Sequence, residues 1–341
     1  MDVSVKKGTG KYNSIDLFKL IMSVCVIAIH TQPLINCQNE LVVQIYEAIV
    51  GMAVPFFFLS TGFLIYEKTR SGGGILSLNI KNRASKILRL YLMWTLIYLP
   101  ITICYYFQNG DSFLRDILDF IRGFLFIGEH YNSYTLWYLL SSFYGLVFIY
   151  LLMMRKMKFE YVALISNLLM IAGFIFTDLV SVKDTLPIAI QVPVKIGWII
   201  LGPRGRIFMG MGYISLGMLL SRYKEKLCRY SWALLIIGML VSVSAEGVIE
   251  SLGIVASSFG LFGIIIQVML GDSKTYLLCR YSSTAMHFVH LFVWTIYYYL
   301  RFGEKTYGLE SFIVVTMLSF LIGLTYCYIK SKNFNQKKVS I

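Results

Sequence analysis

The stretch SIDLFKLIMSVCVIAIH, Ser14 to His30, decides the fold. Apolar side chains fill most of it, over the length of about 20 residues that a bilayer-spanning helix needs. Asp16, Lys19 and His30 sit in or beside that run. Ionisable groups inside a membrane helix are costly and persist where they are paired or used. At 100° per residue, the eleven positions from Lys19 to His30 return to within about 20° of the start and rise about 16 Å. The two basic side chains therefore share a face, with Lys19 near the cytoplasmic surface and His30 toward the outer side. Asp16, three residues before Lys19, is placed to pair with it. The expectation is a membrane helix whose two basic groups face an enclosed, partly wet tunnel. The plainer alternatives are a snorkelling Lys19 and a hydrogen-bonded structural His30.

The rest of the chain repeats the apolar pattern. Of 341 residues, 57% are hydrophobic and 14% charged, and the mean hydropathy is +0.69. A soluble chain of this length needs far more charge to cover its surface. The reading is an all-α integral membrane protein, a bundle of about ten transmembrane helices. Strand-period alternation does not dominate, which argues against a β-barrel. The net charge of +13 lies in short loops between apolar segments. That is the distribution of positive-inside sorting, and no nucleic-acid partner is expected.

The expected spans cover 15–36, 42–66, 87–107, 135–154, 161–180, 206–221, 231–249, 251–270, 283–301 and 309–329. Residues 1–14 form a cytoplasmic segment, 15–330 the membrane domain and 331–341 a basic cytoplasmic tail. With Lys19 set aside, this layout places 22 Lys and Arg on the side of the termini and eight on the other. Both termini are thus expected in the cytoplasm of a multi-pass plasma-membrane protein. The basic N-terminus followed by an apolar run resembles a signal peptide, but no small-residue cleavage site follows, so an uncleaved first helix is expected. The six cysteines form no CxxC pair and read as small buried residues, with an external Cys37–Cys104 bridge as a weaker alternative.

Other polar groups fall at membrane depth or at its rim. Gly72–Gly74 reads as a flexible hinge, since no Gly-Lys-Ser/Thr follows it. The cluster Lys81, Arg83, Lys86 and Arg89 either attracts anionic lipid or receives a phosphate-bearing cytosolic donor such as a coenzyme A ester. The segment FLRDILDFIRGFLF, Phe113 to Phe126, is amphipathic and reads as a helix in the outer interface. Glu47 lies in the outer part of the second span, and Glu246 and Glu250 near the outer end of the seventh. His287 and His290 are one turn apart, but four histidines in all leave few further ligands, so no metal is expected.

DLFKLIMSVCVIAIHTQP resembles the opening of the membrane-bound acyltransferase-3 family, an Arg, ten residues, then a His. AVPFFFLSTGFLI (53–65), TLWYL (135–139), GPRGRIFMGMGYISLG (202–217) and STAMHFVHLFVW (283–294) resemble further motifs of that family in the family's order. The chain is also similar to the membrane half of the vancomycin-resistance serine racemases, sharing His30–Pro33 and the VPFFF run. Those proteins carry a soluble racemase domain after the membrane part. This sequence stops where that domain begins, and no racemase is expected in it.

The resemblance implies an acyltransferase-3-like bundle that moves an acyl group, usually acetyl, from cytoplasmic acetyl-CoA or another acyl-CoA to a hydroxyl outside. The acceptor would be a cell-envelope glycan or a small molecule. Carried over by motif, His30 would be the general base or acyl relay, with Lys19 standing where the family has Arg. Arg204, Arg206, Trp137, His290 and Glu47 would bind substrate, and Lys81, Arg83 and Lys86 the acyl-CoA. Gly205 and Arg206 depart from the family's Asn-Gly, and His287 stands where an aromatic is usual. Two alternatives stay open: a membrane domain that admits L-serine, and a non-catalytic membrane anchor.

Overall fold

In the computed structural model, residues 12–110, 112–202 and 205–339 are described, and they form fourteen α-helices with no strand among them. Arg204 lies outside the described residues. The ten expected spans all fall on helices, but the count of ten crossings does not follow from them. Seven helical stretches are long and apolar enough to cross a membrane. The first is α1 (Asn13–Thr31). The second is a pair, α2 (Glu40–Gly51) and α3 (Ala53–Gly72), broken at Met52. Pro55 explains the break, because it has no N–H to give Gly51 and its ring crowds that carbonyl.

Helix α4 (Leu76–Asn109) has 34 residues, about 51 Å at 1.5 Å per residue, against a hydrocarbon core of about 30 Å. Its first turns, which carry Lys81, Arg83 and Lys86, therefore project beyond the core. The expected hinge before it is a helix cap instead: Gly73 ends α3 in the left-handed conformation at φ 63°, which a residue without Cβ adopts freely. Next comes α5 (Phe113–Arg122), continued by one π-helical turn at Gly123–Ile127. Phe113, Leu114 and Leu118 stay exposed, as the sequence pattern leads one to expect of a helix lying at an interface.

The remaining long crossings are α6 (Leu136–Met154), α7 (Phe159–Ser181), α12 (Gly247–Ile265) and α14 (Leu309–Val339). Three expected spans fall short of that measure: α9 (Arg206–Arg222), α11 (Ser231–Ser244) and α13 (Lys274–Arg301). A short helix α10 (Lys224–Cys228) joins α9 to α11. An apolar helix that the sequence reading left in a loop, α8 (Ile188–Leu201), carries Pro193 and precedes α9.

Close packing of backbone holds the core together. Helix α9 lies between α3, α6 and α7. A Cβ at Gly217 would stand 2.1 Å from the Leu59 carbonyl oxygen, and one at Gly210 2.2 Å from that of Ser141. In lipid, where burial of apolar surface gives little drive, such small-residue contacts supply the van der Waals attraction. Helices α11 and α12 meet in the same way through Gly238, Gly253 and Gly260.

Helix α1 packs along α13. Asn13 Nδ2 donates to the Gly271 carbonyl at 2.9 Å. Ser23 Oγ donates to the Ser283 carbonyl at 3.1 Å. At the other end, Gly308 N donates to the Thr31 carbonyl at 2.7 Å. These two helices carry three of the four histidines.

Candidate functional site: a basic cavity leading to a row of histidines

One end of the bundle holds a cavity of about 470 Å³ lined by Lys19, Lys68, Arg83, Lys86 and Arg280, with Asp16 among them. Asp16 is not paired with Lys19, as the spacing suggests. Arg280 of α13 reaches across from Nε to both carboxylate oxygens at 3.0 Å, and Nη2 adds a further contact. The planar guanidinium binds a carboxylate at two points, which an ammonium does not. Lys19 is thus left facing the cavity.

A second, narrower cavity of about 180 Å³ runs on from the first. The two share Lys19, Thr61, Arg83 and Lys86 as lining. Arg83 and Lys86, three apart on α4, face the same side, with Ile87 and Leu90 continuing the stripe into the neck. Lys81 lies outside both linings and is exposed on the helix, so the acyl-CoA-binding set read from sequence divides there. The neck is walled by Phe57, Tyr138 and Phe288 and ends at His287.

From His287 the path continues as rings. His287 and His290 lie with centroids 6.5 Å apart, and His290 and His30 5.4 Å apart. His30 also stacks on Tyr134 at 6.4 Å. His290 is buried, and its Nδ1 lies 2.8 Å from the Met286 carbonyl oxygen. A carbonyl only accepts, so Nδ1 carries the hydrogen and Nε2 holds a free lone pair. That Nε2 is buried with no hydrogen-bond partner. The tunnel expected beside α1 is therefore open over its basic half, and from His287 to His30 the imidazole rings follow one another.

Beyond His30 lies a second charged group. Lys305 sits over the rings of Trp294 at 4.6 Å, Tyr307 at 5.3 Å and Tyr134 at 5.4 Å. Arg206 and Lys305 are cations whose fields reach His30. Arg206 opens α9, pairs with Glu129 and lies 4.8 Å over the Trp137 ring. This places Arg206, Trp137 and His290 toward one region with His30. Glu47 lies elsewhere: it is exposed and lines a separate cavity of about 440 Å³ with Tyr46 and Glu250. Among the described residues, no group of three or more His, Cys, Asp or Glu is placed to hold a metal ion. All six cysteines are free, Cys37 and Cys104 included.

Sequence reasoning passed over Arg280, Tyr134, Tyr138 and Lys305. One signal for Arg280 was present: it stands two turns before His287 on the same helical face.

Comparison with known proteins gives the chain a family. The family model described as "Acyltransferase domain" matches residues 12–339. Among curated proteins, an amino-acid racemase of Enterococcus faecalis is 29% identical over 63% of the chain and 30% of its own length. A second one from Enterococcus faecalis is 30% identical over 48% of the chain and 21% of its own length. A serine/alanine racemase of Enterococcus gallinarum is 25% identical over 69% of the chain and 33% of its own length. The chain thus spans a third or less of the length of these relatives. No solved structure matches it.

Proposed function

Since the chain belongs to the acyltransferase-3 family, we propose that it transfers an acyl group, acetyl in the first instance, from a cytoplasmic acyl-CoA to a hydroxyl of a cell-envelope acceptor. One observation carries this reading: a cavity lined by Lys19, Lys68, Arg83 and Lys86 narrows to a neck that ends on a row of three imidazoles. The wide basic part suits the phosphates of the donor, which lysine and arginine bind by charge. At about 180 Å³ the neck takes a slender thioester arm and a short acyl group, and excludes the nucleotide.

The acceptor hydroxyl comes from the opposite end, past Arg206, Trp137 and Lys305. There His30, backed by the free lone pair of His290, takes the hydroxyl proton as the oxygen attacks the acyl carbon. A neutral imidazole is the side chain best matched to that task near pH 7. The basic end faces the cytoplasm in this reading, in keeping with the excess of Lys and Arg on that side.

The test uses membrane vesicles bearing the full chain, with labelled acetyl-CoA on the side of the basic cavity. Wild type moves label into envelope material, and His30→Ala loses it while still folding. Undiminished labelling by that variant would remove His30 from the mechanism. The names of the racemase relatives favour a second reading, passage of serine along the same route. It predicts serine uptake by vesicles without acetyl-CoA, and uptake no greater than in empty vesicles would exclude it.

A further inference from the structure

His287 is 7% exposed, and neither of its ring nitrogens has a hydrogen-bond partner. Folded chains satisfy nearly all buried polar atoms, so a doubly unmet imidazole calls for an explanation. Its neighbours do not supply one. Phe57 at 5.7 Å and Phe288 at 5.1 Å offer no polar atom, and Tyr138 packs edge-on at 5.6 Å. Yet the ring closes the neck in which the donor's thioester would lie.

The balance of the reaction gives the ring a task. Moving an acyl group from sulfur to oxygen forms a C–O bond and breaks a C–S bond. The acceptor hydroxyl gives up one proton at the His30 end. The departing thiolate takes up one proton at the neck end. We propose that His287 is a catalytic acid on the donor side, hydrogen-bonded to the thioester sulfur and protonating it as the C–S bond breaks. The proton taken by His30 then passes to Nε2 of His290, the nitrogen not already donating to Met286, and from that same nitrogen to His287, so that nothing is gained or lost over a turnover. This inference rests on the acyl-transfer reading above.

The geometry suits such a relay. His30, His290 and His287 stand in order, with centroid gaps of 5.4 and 6.5 Å. The charged and titratable groups facing His287 in the neck are Lys19 on α1, Arg83 and Lys86 on α4 and Tyr138 on α6. The sulfur leaves into that positive field. Of these groups, His287 is the one with two ring nitrogens, so that one can hold a proton toward the sulfur while the other is resupplied.

The experiment compares two labelled acetyl donors in the same vesicles: acetyl-CoA and an acetyl thioester of an aromatic thiol, whose far more acidic sulfur leaves without protonation. His287→Gln and His287→Phe are expected to lower the rate with acetyl-CoA by about a hundredfold or more, the usual worth of a general acid. With the aromatic thioester the loss should stay under about tenfold on the same argument. Equal losses with both donors would mean that His287 only shapes the neck and would overturn the proposal, as would a variant within threefold of wild type. If neither variant folds, wild type decides alone across a series of aromatic thioesters. A rate nearly independent of thiol acidity supports protonation of the sulfur, and a steep dependence overturns it. Failure of wild type to transfer acetyl from any donor would instead sink the acyl-transfer reading itself.

Discussion

Removing Arg280 should cost more than removing its partner Asp16. The Asp16 side chain is 6% exposed, whereas that of Arg280 is 53% exposed. Two guanidinium donors, Nε and Nη2, bind the carboxylate. A hydrogen bond to a charged group contributes roughly 1.5–3 kcal/mol, so Arg280→Ala should destabilise by about 3 kcal/mol, taking the low end because Arg280 is half in water. It leaves a buried carboxylate without its cation, the costly way to break such a pair. Asp16→Ala releases the guanidinium to solvent and should cost about 1 kcal/mol. The double variant should lie close to Asp16→Ala alone, because the stranded carboxylate is then gone. SDS-driven unfolding in mixed micelles measures all three. Arg280→Ala no more harmful than Asp16→Ala, or a double variant equal to the sum of the singles, would refute the reasoning. The pair joins α1 to α13, so the acyl-transfer rate should fall with Arg280→Ala as well.

Two further outcomes follow from the cavity and from the loop before α6. Arg83→Ala and Lys86→Ala should each raise the KM for acetyl-CoA about tenfold, one charge-assisted contact apiece, while Lys81→Ala, outside the lining, should leave it within twofold; steady-state kinetics in vesicles decides. His130 lies in that loop, buried and stacked on Phe120 at 4.6 Å. Burial pushes its imidazole down to about 4, against about 6.5 in an unfolded chain. The unfolded state therefore takes up the proton first as pH falls. The stability is fully present above about pH 6.5 and declines toward pH 4, by up to about 3 kcal/mol. His130→Phe, which keeps the stack, should flatten that part of the pH–stability profile.

The membrane class, the order of the apolar segments and the amphipathic helix at Phe113 were legible because each rests on periodicity within one segment. The face shared by Lys19 and the cavity was legible for the same reason. What sequence did not disclose depends on contacts between distant segments. Asp16 has a cation three residues away, yet its partner stands 264 positions along the chain. Helix α8 was missed because Pro187, Pro193 and Lys195 interrupt an otherwise apolar run. Helix α9 was seen, but its place in the core depends on glycines whose partners lie on α3 and α6. Lys81 and Lys86 are alike in composition and proximity; only the pitch of α4 separates the one that lines the cavity from the one that does not.

The attachment of α1 to α13 reaches further than stability. Along its length α1 is pinned at three levels: Asn13 and Asp16 hold Gly271 and Arg280, Ser23 holds Ser283, and Thr31 holds Gly308 at the foot of α14. A motion that drew α1 away from α13 would have to break the Asp16–Arg280 pair and the Ser23–Ser283 bond together. A beam fixed in this way moves with its neighbours or stays where it is.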